Sequence, residues 1–256
     1  MLQVAMVMST PGAPPGGAVT CVLFDLYGTL LHIRLDEDSP ALWTGLTRFL
    51  RPPDGSRGPA EIRARFLAIL DEEARIRAEG FIMEAAFRRL LASVGSDQDV
   101  ASLGREFRRL SLRQSVLAEF VTPLFRALHH AGTATAIVSN TEAVLTSFDL
   151  DAHPVLREVD TTVLSSEVGV RKPAPAIFHI ALRRLGASPE TTVVVGNSLT
   201  DDMAGARAAG LGGVYLPETA ADAALAAPDG VEVVRPPATL PPIIEALQRL
   251  GWTGRC

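Results

Sequence analysis

The stretch "CVLFDLYGTLL", residues 21–31, decides the fold. It completes an apolar, β-rich run over residues 19–24, the pattern of a strand buried on both faces. The run stops at Asp25, and Gly28 and Thr29 follow where the chain must turn. Two residues after Asp25, where a second carboxylate would suit acid–base chemistry, stands Tyr27. Runs of the same kind recur at 134–138, 161–164, 192–195, 213–216 and 231–234. Helical stretches lie between them. Ile177, Ile180, Ala181 and Leu185 share one face, and Gly186 stops that helix. Strands alternating with helices predict an α/β fold, a doubly wound parallel, Rossmann-like sheet. In such sheets ligands bind beyond the carboxyl ends of the strands.

Residues 36–116 interrupt the alternation. They show no strand-like run, but Ile62, Phe66, Ile69 and Ile76 form one apolar stripe and Leu103, Phe107 and Leu110 another. "RPPDGSRGP", residues 51–59, separates the first two helices as a loop, and Trp43 is expected to pack the helical unit. The expected organisation is a flexible leader over 1–18, an α/β core over 19–35 and 117–256, and an inserted α-helical cap over 36–116.

Composition narrows the function classes. Among 256 residues the net charge is -5, which disfavours a nucleic-acid partner, since no basic stripe is present to neutralise phosphates. The Arg-rich stretch 57–77 is interleaved with acids at helical spacing and reads as a solvated face. Two cysteines, Cys21 and Cys256, make no disulfide framework, so a reducing, cytoplasmic setting is expected. "MLQVAMVMST" lacks the basic residues that would open a signal peptide, Met6 or Met8 could be the true start, and no apolar stretch is long enough to span a bilayer.

Four strand ends carry polar residues that could meet. The first gives Asp25 with Thr29, the second Ser139 and Asn140. The third leads to Lys172 before a Pro-led helix, and the fourth to "GNSLTDD", with Asn197, Ser198, Asp201 and Asp202. Each alone has a structural explanation: a turn cap, a helix cap, a surface lysine, acids favouring a helix N-terminus. Their conjunction, each at a strand's carboxyl end, favours a site. His129 and His130 at a helix end fit the dipole there, whereas His32 lies near the site by sequence.

Strand-DxxxT, strand-Ser, Lys-Pro and strand-Gly-x-Ser-x-x-x-Asp together resemble the haloacid dehalogenase (HAD) superfamily of hydrolases over residues 19–216, with 36–116 where that superfamily often carries a helical cap. The resemblance implies Asp25 as covalent nucleophile, Lys172 offsetting charge, and Asp202 orienting Lys172 or the hydrolytic water. It implies Ser139, with Asn140 or nearby backbone N–H groups, around the leaving or transferring group, and Thr29 supporting the nucleophile loop. The substrate is expected to be a small anionic molecule. Oligomeric state is left open, a dimer included.

HAD phosphatases carry an Asp two residues after the nucleophile to protonate an alkoxide, and an Asp that ligates Mg²⁺ where this chain has Asn197. Here Tyr27 and Asn197 stand instead. The 2-haloacid dehalogenase branch resembles this chain in "DLYGTL", expels halide without a proton and needs no metal. Departures from that branch are Phe178 in place of a Tyr and Leu199 in place of an Asn. Arg51, Arg57, Arg63 and Arg65 are all in range for its cap arginine. Three readings stand: a dehalogenase-type hydrolase without cofactor; a phosphatase holding Mg²⁺ weakly through Asp25, Asn197 and Asp202, with Tyr27 as a gate; and a binding module that has lost turnover.

Overall fold

A computed structural model describes residues 17–52, 58–77 and 80–254. Most of the leader, Arg57 and the middle of the 51–59 loop lie outside the described residues. The strands are β1 (Cys21–Phe24), β2 (Leu31–Leu35), β3 (Leu112–Leu117), β4 (Ala134–Ser139), β5 (Thr161–Leu164), β6 (Thr192–Gly196), β7 (Gly212–Tyr215) and β8 (Val231–Val233). The helices are α1 (Pro40–Leu50), α2 (Pro59–Ile76), α3 (Met83–Val94), α4 (Val100–Ser111), α5 (Val121–His130), α6 (Ala143–Ala152), α7 (Ser165–Val168), α8 (Pro175–Leu185), α9 (Ala204–Ala208) and α10 (Leu240–Arg249).

Six strands form one parallel sheet in the order β5-β4-β1-β6-β7-β8. β1 is central because it is apolar on both faces. Val22 and Phe24 enter one core layer with α5 and α10, while Cys21 and Leu23 enter the other with α8. The chain fills one side of β1 with β4 and β5, then crosses over to lay down β6, β7 and β8 on the other. That reversal opens a crevice at the carboxyl ends of β1, β4 and β6, where a site is expected. The doubly wound α/β architecture therefore stands as read from the sequence, with strand ends displaced by one or two residues.

The inserted unit, α1 to α4, builds its own core around Trp43, Phe66, Phe87 and Phe107, whose rings meet at centroid distances of 5.5–6.2 Å. Trp43 packs there as expected. Two expectations are corrected. Residues 36–116 do contain strand: β3 begins at Leu112 and pairs antiparallel with β2, so the insertion is carried on a two-stranded stem. β3, "LRQSVL", has only half-buried and exposed positions and never forms an apolar run, which is why it escapes a search for buried strands. Ile76 does not join the apolar stripe. It is the last helical residue of α2 and is 73% exposed, whereas Ile62, Phe66 and Ile69 are buried. Among the described residues no helix is long and apolar enough to cross a membrane.

Candidate active site

Asp25 leaves β1 directly into the crevice and is 7% exposed. Its backbone N–H still pairs with Val195 O at 2.9 Å, so the sheet fixes the main chain that carries it. The turn after it depends on Gly28, whose φ of +82° suits glycine. A Cβ there would also lie 2.1 Å from Asn197 Nδ2, a clash with the next strand's loop. Thr29 Oγ1 then donates back to Asp25 Oδ2 at 3.2 Å and lies 3.4 Å from Asn197 Oδ1.

Lys172, 5% exposed, reaches the same point from the loop before α8. An ammonium has three donors, and all three are used. Nζ donates to Asp25 Oδ1 at 2.6 Å, Asp202 Oδ1 at 2.7 Å and Val138 O at 3.0 Å. Asn140, at the end of β4, takes no free position. Its Nδ2 donates to Lys172 O at 2.9 Å and its Oδ1 accepts from Lys172 N at 2.7 Å. Asn140 thus holds the lysine's main chain in place. Ser139, the last residue of β4, is 2% exposed and lines the cavity.

After β6 the chain makes a wide π turn, Leu199–Met203, that α9 continues. Ser198 caps it, accepting from Asp201 N at 3.0 Å, so Asp201 serves the turn. Asp202 points inward, 1% exposed, and its Oδ2 accepts from Ser198 N at 3.0 Å. Two carboxylates therefore share one ammonium away from water. Burial pushes the Asp202 carboxyl up to about 6, with the nearby Asp25 charge adding to it and Lys172 opposing. Burial alone would lower Lys172, but Asp25 and Asp202 outweigh it and hold its proton more tightly than in water.

Asp25, Tyr27, Ser139, Asn140, Lys172, Asn197, Ser198, Asp201 and Asp202 line one cavity of about 160 Å³, open on one side. Every site residue read from the sequence lines it except Thr29, which bonds Asp25 from behind. Asn197 donates through Nδ2 to Glu218 Oε1 at 3.0 Å, an acid that no motif marks. For a divalent cation Asp25 and Asp202 would offer carboxylates and Asn197 an amide oxygen. No group of three or more His, Cys, Asp or Glu residues suited to a metal occurs among the described residues. That donor set fits a hard cation in charge, with fewer anionic ligands than a carboxylate cage provides.

The Tyr27 hydroxyl is hydrogen-bonded to α6. The hydroxyl donates to Asp149 Oδ2 of α6 at 2.5 Å and lies 3.2 Å from Thr146 Oγ1. Arg108, from α4 in the inserted helical unit, stands with its guanidinium carbon 5.9 Å from the Tyr27 ring centre and Nε 3.2 Å from Asp149 Oδ2. Sequence reading missed both Arg108 and Asp149. Arg108 falls inside an amphipathic helix among other arginines, and Asp149 inside "SFDLDA", with no motif around either. The arginines that were in range lie elsewhere: Arg63 pairs with exposed Asp38, and Arg65 with Glu61 on its own helix. Arg51 ends α1 at the surface. His32 is exposed and lines a separate cavity of about 620 Å³ with Thr29, Glu119 and Glu218. His129 and His130 close α5 at the surface.

Comparison with known proteins bears on the family and the fold. Phosphoserine phosphatase of Thermus thermophilus is 30% identical over 145 residues, covering 56% of this chain and 58% of that protein. Glyceraldehyde 3-phosphate phosphatase of Methanopyrus kandleri is 48% identical over 62 residues, covering 24% of this chain and 25% of its own length. The chain thus spans between a quarter and three fifths of these curated relatives. Among solved structures, an HAD phosphatase from Thermococcus onnurineus superposes with a TM-score of 0.60 at 22% identity, covering 91% of this chain and 99% of that one. A 2-haloacid dehalogenase from Pseudomonas syringae gives 0.58 at 22% identity, covering 90% and 99%. At that identity both show the fold alone. A family model described as haloacid dehalogenase-like hydrolase matches residues 19–210, three quarters of the chain, and the protein therefore belongs to the haloacid dehalogenase-like hydrolases.

Proposed function

We propose that this hydrolase cleaves a carbon–halogen bond of a small 2-haloacid through a covalent ester on Asp25, without a metal. The supporting observation is Tyr27. The position that would have to protonate a poor leaving group carries a phenol that donates to Asp149, and burial pushes its pKa further up. A group that holds its proton this firmly is a poor general acid near neutral pH. Halide departs without a proton, so that chemistry needs none.

In the reaction, an Asp25 carboxylate oxygen attacks the substrate carbon, forming a C–O bond as the carbon–halogen bond breaks and halide leaves. Lys172 and the backbone N–H groups at the strand ends offset the substrate's charge. A water then attacks the carbonyl carbon of the aspartyl ester, giving up a proton, and the hydroxyacid departs as Asp25 is restored. Asp202, with its carboxyl raised to about 6, is ionised at neutral pH and placed to orient that water or Lys172. Asp25→Asn is expected to lose turnover while keeping the fold, because the amide cannot form the ester.

A second reading is supported by the curated relatives, which are named phosphatases. In it, Asp25, Asn197 and Asp202 would hold Mg²⁺, which would supply positive charge for a transferring phosphoryl group, and Asp25 would attack phosphorus. The test is turnover of 2-haloacids and phosphate monoesters, each with and without Mg²⁺. Halide release insensitive to EDTA supports the first reading, and Mg²⁺-dependent phosphate release replaces it with the second. Turnover of neither moves the protein to a binding role.

A further inference from the structure

The cap meets the core beside Tyr27. Helix α4 runs so close to α6 that a Cβ at Gly104 would lie 2.4 Å from the carbonyl oxygen of Val144. About one turn further along α4, Arg108 is 5% exposed, and Asp149 opposite it on α6 is fully buried. Their contact is an ion pair without a directed hydrogen bond. Arg108 Nε and Asp149 Oδ1 are both buried, and neither has a hydrogen-bond partner among the described residues. Such a pair is expensive, and an apolar replacement of similar volume often packs as stably. Other contacts also join the cap to the core. Glu142 of the core accepts from the N–H groups of Ile82 at 2.7 Å and Met83 at 3.0 Å at the start of α3. Arg105 of α4 pairs with Asp151, and Arg171 lies 5.8 Å from the Phe81 ring centre.

What Arg108 and Asp149 do share is Tyr27. Asp149 takes the phenol's hydrogen bond, and Arg108 stands against both Asp149 and the ring. Tyr27 in turn lines the cavity with Asp25. We propose that Asp149 and Arg108 are positioning residues that couple the seating of the cap to the orientation of the Tyr27 ring beside the nucleophile. With the cap seated, Arg108 fixes Asp149, Asp149 fixes the hydroxyl, and the ring forms one wall of the leaving-group space. Without the cap contact, Asp149 loses its counter-charge and the phenol is free to turn toward Asp25. The inference rests on Asp25 as the nucleophile and holds for either leaving group.

The test uses the full chain made with tyrosine carrying ¹³C at Cζ. The protein has two tyrosines, so two signals are expected, and Tyr215→Phe assigns them. Asp149→Asn should shift the Tyr27 signal directly. Arg108→Met should shift the same signal and Arg108→Lys return it toward its original place. Because Arg108 also faces the ring, the decisive comparison is that the Arg108→Met shift shrinks in the Asp149→Asn background. A Tyr27 signal unmoved by Arg108→Met in a folded protein overturns the coupling. If Arg108→Met fails to fold, Arg108→Lys against Asp149→Asn carries the same comparison. On whichever substrate turns over, Tyr27→Phe and Asp149→Asn should each lower kcat about tenfold with little change in KM, and the double variant should lose no more. Effects that multiply in the double variant overturn it as well. The spectroscopic arm needs no substrate, so failure of the proposed reaction and failure of this coupling are told apart.

Discussion

Asp202→Asn removes one of two buried carboxylates that share a single ammonium, and its consequence for stability depends on pH in a way the structure dictates. The Asp202 carboxyl lies at about 6 in the folded protein against 3.8 unperturbed, with burial as the main cause and the Asp25 charge adding to it. A group whose folded pKa is raised contributes its full stability below the unfolded pKa and loses it as pH rises through the folded value. Ionising Asp202 therefore costs the fold about 3 kcal/mol, from a rise of 3.8 to about 6 at about 1.36 kcal/mol per pH unit, accumulated between about pH 4 and pH 7. Asn at this position cannot ionise, so that loss disappears. Asn also presents an NH₂ where Asp202 accepts from Ser198 N, a penalty of about 1–3 kcal/mol that does not vary with pH. The clean quantity is the change in the stability difference with pH. Urea melts of both proteins at about pH 4 and pH 8 should show the variant gaining 2–3 kcal/mol relative to the parent between the two conditions. Activity should be lost at both. A stability difference that stays constant with pH, or moves against the variant as pH rises, refutes the electrostatic reasoning.

Lys172→Met leaves Asp25 and Asp202 facing each other without a counter-charge, and should cost about 3–5 kcal/mol near neutral pH, read by urea melts, with less loss where Asp202 is protonated. Gly28→Ala forces a Cβ against Asn197 at a φ of +82° and should lower kcat sharply, with a stability loss of about 1–3 kcal/mol by thermal melt. EDTA should leave turnover largely intact, and Asn197→Asp should tighten Mg²⁺ binding in calorimetry, because it converts a neutral amide oxygen into a third carboxylate.

The sequence made the strands legible wherever burial on both faces removed polar residues, as in 21–24 and 192–195. It made the site legible because each polar residue sits at the end of such a run. Local spacing carried Asp25, Thr29 and Asp202, since each lies within a few residues of its strand. β2 and β3 were not legible, because an exposed antiparallel ribbon needs no apolar run. Arg108 and Asp149 lay out of reach for a different reason. They meet only because α4 and α6, far apart in the chain, pack at the distance Gly104 allows, and no local pattern encodes that meeting. Asn140 and Lys172 were both found but their pairing was not, because α6, β5 and α7 separate them in the chain.

The central claim concerns which atom water attacks, and oxygen isotopes read it directly. If a carbon–halogen bond is cleaved, water attacks the carbonyl carbon of the Asp25 ester, so the side chain keeps a solvent oxygen and the product carries away an aspartate oxygen. If a phosphate ester is cleaved, water attacks phosphorus and the Asp25 oxygens stay in place. After many turnovers in ¹⁸O-water, mass spectrometry of the peptide containing Asp25 should show label in its carboxylate. An unlabelled Asp25 after halide or phosphate release contradicts the account.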